Sequence, residues 1–326
     1  MKHFLEVGDL TKSEIEYVLQ LSSYLDETHE DALHQTNVLF CFEKPSLRTK
    51  VGTEVAINQL GGRVIHIDPM AFLGGKIMHA KPIPGHDERE SLKDTVLNVS
   101  KWCDAIFTRV FSHSTLLTLC KYSEIPIINA LSDLHHPMQA LADFRTVQQE
   151  YGDEKIPITF IGDANNVAKS LIEMGIMLGY PMGFCGPNAY GWSKEQVNHF
   201  KTLSYKYQGS FQYYDNAHNA ALNSMVIYAD TFVSMGEEGQ YDEKMEAFNG
   251  FQINSRLMSL TPDEASFMHC LPAHRGVEVT NEVIDSNKSL VYQQAENRMI
   301  VSKGLFTFLI KEKGTLKTID KTTIYN

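Results

Sequence analysis

A short stretch near the start of the chain, EKPSLRTK from Glu43 to Lys50, contains residue types that could bind a phosphate. It follows the apolar run TNVLFCF, so it should open a helix directly after a strand. Backbone N–H groups at a helix start lack partners within the helix, and the helix dipole makes that end positive. Ser46 and Thr49 add hydroxyl donors, and the Arg48 guanidinium can bind two oxygens at once. The alternative is an N-capping serine beside a solvated arginine.

Two further polar positions follow apolar runs in the first half of the chain. Arg109 ends the apolar run AIFTR. A cation at this position is unfavourable in a core strand but is expected in a ligand-binding site. His136 and Gln139 lie one helical turn apart in HHPMQ, and both could donate to a single carbonyl oxygen. A histidine that caps the helix before Pro137 is the alternative explanation.

The sequence FIGDANNVAKS joins another apolar run to a helical pattern. Only Gly162 fits the G-x-G-x-x-G pattern of dinucleotide sites, because Ala164 and Val167 occupy the other glycine positions. A nicotinamide-dependent dehydrogenase is therefore disfavoured. Asn165 and Asn166 offer amide donors and acceptors that suit an amino-acid head group, although such pairs also build turns.

Three segments near the carboxyl end carry the remaining candidates. Asp230, in YADTFVSMGEE, could hold an ammonium group or form an Asx turn. Cys270, in FMHCLPAHRG, could be a nucleophile, a proton-relay partner or an inert buried thiol. For Arg298, in AENRM, an exposed salt bridge is the simplest explanation.

Short apolar runs that alternate with helical patterns must position these groups. The first series predicts strands at Val38–Phe42, Val64–Ile67, Ala105–Arg109 and Ile125–Asn129, and helices near Leu47–Leu60, Ser91–Trp102 and Ser114–Tyr122. A long helix from His136 to about Tyr151 follows. The second series predicts strands within ITFIGD, MGFCG, SFQYYD, VIYAD, SFMHCL and SLVYQQ. This alternation predicts an α/β fold of two doubly wound parallel-sheet domains joined by interdomain helices.

Composition narrows the class of protein. The 326 residues carry a net charge of −11 and no Lys/Arg block, which disfavours a nucleic-acid binder. The five cysteines form no C-x-x-C pattern, so we expect a reducing compartment and no metal site. No apolar stretch approaches the length of about 18 residues that a membrane span needs. A cytoplasmic protein without membrane association is the expectation.

Together, the motifs indicate a family. SLRT, HPMQ, DANN, DTFVSMGEE, HCLPAHRG and AENR occur in this order at predicted strand–helix junctions, from Phe42 to Arg298. This resembles the carbamoyltransferase family, and within it the ornithine carbamoyltransferases. The resemblance implies a carbamoyl-phosphate domain at 1–135 that includes a returning helix at about 299–326, an interdomain helix at 136–151, and an ornithine domain at 152–298.

The resemblance also implies an activity and its residues. The family transfers the carbamoyl group of carbamoyl phosphate to the δ-amine of L-ornithine, giving L-citrulline and phosphate, in arginine metabolism and amino-acid biosynthesis. It uses no metal or organic cofactor, and its members typically form homotrimers, or stacks of such trimers, with active sites between neighbouring subunits. The matching carbamoyl-phosphate residues are Ser46, the Leu47 backbone N–H, Arg48, Thr49, Arg109, His136, Gln139, the Leu271 carbonyl and Arg298. The matching ornithine residues are Asn166, Asp230, Ser234, Met235 and Cys270, and the implied catalytic residues are Arg109, His136, Asp230 and Cys270.

Two departures from the family pattern keep alternatives open. Leu47 stands where the family usually has threonine, which is compatible with a silent paralogue that binds a phosphorylated metabolite. The loop Gly74–Ser91 is longer than usual, and an altered loop could admit an N-acylated ornithine; putrescine is a further candidate acceptor. Lys81 and His86 are its candidates for contact with a neighbouring subunit.

Overall fold

A computed structural model describes residues 2–73, 90–234, 237–317 and 319 of the protein. The chain divides into two compact units, one within 1–141 and 298–326 and the other within 142–297, which we call unit 1 and unit 2. Both divisions fall inside long helices. The domain boundaries expected from the family pattern remain a prediction.

Unit 1 contains a four-stranded parallel sheet in the order β2-β1-β3-β4. Its strands are β1 (Asn37–Phe42), β2 (Arg63–Ile67), β3 (Ala105–Arg109) and β4 (Ile127–Leu131). The helices up to the division are α1 (Lys12–Thr28), α2 (Arg48–Gln59), α3 (Pro69–Phe72), α4 (Leu92–Trp102), α5 (His113–Tyr122) and the start of α6 (Pro137–Tyr151).

Unit 2 contains a five-stranded parallel sheet in the order β7-β6-β5-β8-β9. Its strands are β5 (Ile158–Ile161), β6 (Pro181–Cys185), β7 (Ser210–Tyr214), β8 (Val226–Ala229) and β9 (Ser266–His269). The later helices are α7 (Asn166–Met177), α8 (Lys194–Tyr207), α9 (Ala217–Leu222), α10 (Tyr241–Ala247), α11 (Ser255–Met258), α12 (Asn281–Ile284) and α13 (Val291–Ile310), of which α13 continues into unit 1. The predicted α/β class with two parallel sheets is confirmed.

Local sequence signals explain the first helix of unit 1. The Thr11 hydroxyl accepts from the Glu14 backbone N–H, and the Glu14 carboxylate accepts from the Thr11 N–H, so a capping box starts α1. Ser22 lies on the buried face of α1, where Gly304 of α13 approaches it closely. A Cβ at Gly304 would lie 2.2 Å from the Ser22 hydroxyl, so this helix contact requires glycine.

Aromatic side chains hold the strands whose ends carry the candidate residues. In unit 1 the ring of Phe107 packs at 5.0 Å from that of Phe40 and at 5.5 Å from that of Phe306. In unit 2 the ring of Phe160 lies 6.2 Å from Phe184 and 5.6 Å from Tyr228. These contacts keep neighbouring strands in register, so that their carboxyl ends present side chains together.

Within the described residues, no helix is both long and apolar enough to cross a bilayer.

The strand predicted in SLVYQQ is wrong. The segment makes a single bridge, between Ser289 and Phe267, and then enters α13. The buried residues Leu290, Val291 and Gln294 recur at the three-to-four-residue spacing of a helix, and Gln294 N donates to Leu290 O over 2.8 Å. In the sequence, the adjacent apolar residues Leu290 and Val291 fit a short strand as well as they fit this helical spacing. The strand predicted at Ile125–Asn129 also lies two residues later, at β4.

Candidate active site

The segment KPSLRTK connects β1 to α2 in unit 1, at the carboxyl end of the sheet. The helix begins at Arg48 and its N-cap residue is Leu47, whose side chain makes no capping bond. The interpretation of Ser46 as the capping residue is therefore wrong. The Leu47 side chain is 71% exposed, whereas Thr49 is buried. The helix start is thus available for a ligand rather than closed by a side chain.

Arg109 ends β3, where it pairs in register with Phe42 of β1. Within the ranges that the structure describes, its Nε atom is buried and has no hydrogen-bond partner. Burial lowers the pKa of Arg109, and the positive charge of Arg48 lowers it further. These two guanidinium groups, one at the end of β3 and one at the start of α2, repel each other, and a bound anion would stabilise them.

Arg298 joins this cluster from α13, although it lies far away in sequence. It is 4% exposed, and its Nη2 atom donates to the Thr49 hydroxyl over 2.8 Å. Its Nη1 atom donates to the side-chain oxygen of Gln139. The interpretation of Arg298 as an exposed salt bridge is therefore wrong, because the residue is buried.

His136 is buried within reach of all these cations. Burial holds the pKa of His136 well below its usual range, and the charges of Arg298, Arg109 and Arg48 lower it further. The imidazole is therefore neutral at physiological pH. Except for Leu271, the predicted carbamoyl-phosphate residues all lie in unit 1.

In unit 2, Asp230 follows β8 and connects two of the predicted motifs. Its Oδ2 atom accepts from the Asn165 amide over 2.8 Å, and its Oδ1 atom accepts from the Cys270 thiol over 3.0 Å. Oδ1 also accepts from the Thr231 backbone N–H. The side-chain oxygen of Asn165 caps α7, so this residue both starts the helix and orients the carboxylate. Asn166 is the first residue of α7.

Cys270 and Leu271 follow the end of β9, and hydrogen bonds of His269 hold this part of the chain in position. The Leu271 backbone N–H donates to His269 Nδ1 over 2.9 Å, so the ring proton is on Nε2, which lies 3.3 Å from Glu278 Oε1. Leu271 lies in unit 2, and its contribution to the carbamoyl-phosphate site stays a prediction.

Some predicted residues lie outside the described residues. Met235 is one of them, and its role in the head-group site stays a prediction. The neighbouring Ser234 is described, and its backbone N–H donates to Glu237 Oε2 over 3.0 Å. Lys81, His86 and most of the loop Gly74–Ser91 are also outside. The acylated-ornithine alternative, which the loop motivated, therefore has no structural observation behind it.

Comparison with known proteins decides the family. A family model described as the carbamoyl-phosphate binding domain of aspartate/ornithine carbamoyltransferase matches residues 2–149. A second, described as the Asp/Orn binding domain of the same enzymes, matches residues 154–309. The chain belongs to the aspartate/ornithine carbamoyltransferase family.

Relatives in this family agree over nearly the full length. An ornithine carbamoyltransferase from Prochlorococcus marinus is 39% identical over 95% of this chain and 97% of that protein. The solved ornithine carbamoyltransferase from Pyrococcus furiosus is 33% identical, covers 97% of this chain and 98% of its own, and has a TM-score of 0.86. An N-acetyl-L-ornithine transcarbamylase structure covers 95% and 100% with a TM-score of 0.83, but at 23% identity the likeness concerns the fold alone.

One residue of this carbamoyltransferase was missed by sequence reasoning. Lys244 of α10 is 1% exposed, and its ammonium contacts Asp163 and Glu237 at 2.6 and 2.5 Å. A signal existed, because Lys244 precedes the buried Phe248 by four residues and so shares its helix face. That signal is weak, because a lysine at such a position is usually exposed to solvent.

Two clusters in this family member contain residue types that ligate metals. They are Glu6 with His113 and His135, and Asp230 with His269 and Cys270, each with ligand atoms within 4.8 Å of one another. Hydrogen bonds already account for much of this proximity, since His135 Nε2 lies 2.9 Å from Glu6 Oε2. The expectation of a metal-free reaction remains a prediction.

Proposed function

We propose that the protein transfers the carbamoyl group of carbamoyl phosphate to the δ-amine of L-ornithine, giving L-citrulline and phosphate. Membership of the family supports this reaction. The observation that carries it is the cluster of Arg48, Arg109 and Arg298 around neutral His136, with the Arg109 Nε atom buried and unpartnered among the described residues. Such a concentration of positive charge, carried by one buried and two partly buried guanidinium groups, suits a small dianion.

The phosphate end of the substrate would bind at the start of α2. The backbone N–H groups from Leu47 onward and the hydroxyls of Ser46 and Thr49 would donate to its oxygens. The guanidinium of Arg48 would neutralise its charge. The loss of a hydroxyl at Leu47 leaves the backbone donor in place, which supports a working site rather than a silent paralogue.

The carbamoyl end would be polarised by neighbouring donors. Arg109 and His136 would donate to the carbonyl oxygen, on which negative charge develops when the amine attacks. A preorganised donor of this kind typically contributes about 3 kcal/mol to lowering the barrier. Gln139, whose side-chain oxygen accepts from Arg298, would hold the carbamoyl nitrogen.

The amino-acid end would bind in unit 2. Asp230 is a fixed carboxylate that would pair with the α-ammonium group of ornithine, while Asn166, Ser234 and Met235 would complete the head-group site. Cys270 would lie near the δ-nitrogen, with its thiol proton donated to Asp230. The attacking amine must be deprotonated, and transfer then proceeds directly from carbamoyl phosphate without a covalent enzyme intermediate.

The setting of the enzyme is part of the same proposal. We place it in arginine metabolism in the cytoplasm, acting as a homotrimer with active sites at subunit interfaces. One observation in unit 1 supports self-association: Leu47, Val51 and Val55 form an exposed apolar stripe along α2. The domain assignment, with 136–151 as an interdomain helix, belongs to this proposal as well.

The test is product formation by the purified protein. Carbamoyl phosphate and L-ornithine should give citrulline, detected by mass spectrometry, while N-acetyl-L-ornithine and putrescine should give product at rates lower by a factor of 100 or so. Product from one of those amines, with none from ornithine, would reject the acceptor. Carbamoyl-phosphate binding without turnover on any amine would reject the enzyme activity itself.

A further inference from the structure

We propose that Lys244 is a positioning residue for the amino-acid substrate, because its buried ammonium fastens together the two segments that carry the head-group residues. This inference rests on the proposed function for the identity of that substrate. Lys244 does not belong to any of the motifs by which the family is recognised. Its geometry in unit 2 nevertheless connects two of them.

The first connection runs to the segment between β5 and α7. Lys244 Nζ donates to Asp163 Oδ2 over 2.6 Å. The Asp163 carbonyl in turn accepts from the Asn165 N–H over 2.8 Å, and the Asn165 side chain orients Asp230. Displacement of Asp163 would therefore be transmitted to Asn165, to the adjacent Asn166 and to the carboxylate of Asp230.

The second connection runs to the segment that follows β8. Lys244 Nζ donates to Glu237 Oε2 over 2.5 Å, and the same carboxylate oxygen accepts from the Ser234 backbone N–H over 3.0 Å. The Glu237 N–H also donates to the Ser234 carbonyl. The position of Ser234, a predicted head-group residue, therefore depends on where Lys244 holds Glu237.

The charge and burial of Lys244 make the two segments depend strongly on its ammonium group. The Lys244 side chain is 2% exposed, whereas those of Asp163 and Glu237 are 13% and 37% exposed. One ammonium faces two carboxylates, and its third side lies 5.1 Å from the centre of the Tyr190 ring. Without the ammonium, two like charges would face each other across the gap and push the two segments apart.

Replacement by methionine removes the charge at similar volume and provides the test. In Lys244→Met we expect the KM for ornithine to rise by at least about tenfold, because the substitution removes one partner of a buried charge pair. The dissociation constant of L-norvaline, which keeps the head group and lacks the δ-amine, should rise equally. Affinity for carbamoyl phosphate should stay within about twofold, since its predicted residues lie in unit 1 apart from Leu271.

Matched variants separate positioning from general destabilisation. Lys303→Met removes another buried lysine, which donates to Asp26 over 2.8 Å in unit 1. It should lower the melting temperature but leave the KM for ornithine unchanged. Lys244→Arg keeps the charge but carries a larger, planar group, so it should restore the KM only in part and give a value below that of Lys244→Met. A wild-type KM and norvaline affinity in a folded Lys244→Met protein would overturn the proposal, as would an equal rise in KM in Lys303→Met.

Hydrogen exchange makes the outcome independent of the reaction. Without substrates, Lys244→Met should accelerate amide exchange around Ser234 and Asn165, with no change in β1 or β3. If the wild-type protein makes no citrulline, the proposed function fails while the exchange result still decides whether Lys244 fastens the two segments. Unchanged exchange at both segments would reject that role.

Discussion

The two units place groups of opposite charge at the carboxyl ends of their parallel strands. In unit 1 these ends gather guanidinium groups around a neutral histidine, and Arg109 Nε has no hydrogen-bond partner among the described residues. In unit 2 the corresponding region centres on Asp230, whose carboxylate accepts from Asn165, Cys270 and Thr231. The same architecture therefore presents cations in one unit and a carboxylate in the other, which matches the proposed sites for an anion and for an ammonium group.

The two regions differ in whether other groups of the protein already stabilise the charge of the central side chain. The carboxylate of Asp230 is already stabilised by donors from two neighbouring segments. The guanidinium of Arg109 is instead destabilised by burial and by Arg48, as the lowered pKa indicates. Substitution in unit 1 should therefore remove function at little expense in stability, whereas substitution in unit 2 should affect both.

The largest effect is expected at the anion site. Arg48→Ala or Arg109→Ala should lower turnover by at least about 100-fold, the scale of losing one preorganised donor. Because the removed charge repels its neighbour, the free energy of unfolding of Arg109→Ala without ligand should equal or exceed that of wild type. Steady-state kinetics and urea denaturation measure the two quantities. Near-normal rates in both variants would remove the proposed phosphate site.

Asp230→Asn tests the other side of the comparison. An amide NH₂ in place of Oδ2 would face the donating amide of Asn165, so the variant should lose about 1–3 kcal/mol of stability. Loss of the charge should also raise the KM for ornithine by a factor of 30 or more, with carbamoyl-phosphate affinity unchanged. Isothermal titration with each ligand separates these effects. Equal weakening of both ligands would mean that the division of roles between the units is wrong.

The sequence contained enough to predict most of the fold, because alternating apolar runs and helical periods are local. It also indicated which polar side chains follow the strands. The Asp230–Cys270 contact was less accessible, since it depends on strand register: Ala229 pairs with His269, which brings the next residues of β8 and β9 together. Register is decided by packing across the sheet rather than by either strand alone.

Buried cations were the hardest to interpret from sequence. Arg298 and Lys244 both lie in helical segments with many polar residues, where an exposed position is the usual outcome. Their burial depends on partners that are distant along the chain, namely Thr49 and Gln139 for Arg298 and Asp163 for Lys244. Only the tertiary arrangement shows that these charges have been withdrawn from water.

The smallest predicted effect concerns pH and the histidine of unit 1. The pKa of His136 is lowered in the folded protein by burial and by the three arginines, whereas in the unfolded chain it should lie near the ordinary value of about 6.5. The unfolded state therefore binds a proton that the folded state excludes. Stability from this group is fully present above the unfolded pKa and is lost as the pH falls below it, with a slope of up to about 1.4 kcal/mol per pH unit.

His136→Gln should abolish this contribution, since glutamine does not titrate. Urea denaturation from pH 7.5 to pH 5 should show a shallower fall in stability for the variant than for wild type. Identical slopes for the two proteins in phosphate-free buffer would mean that His136 binds its proton equally well in the folded and unfolded states. The lowering of the His136 pKa by burial and the three arginines would then be wrong.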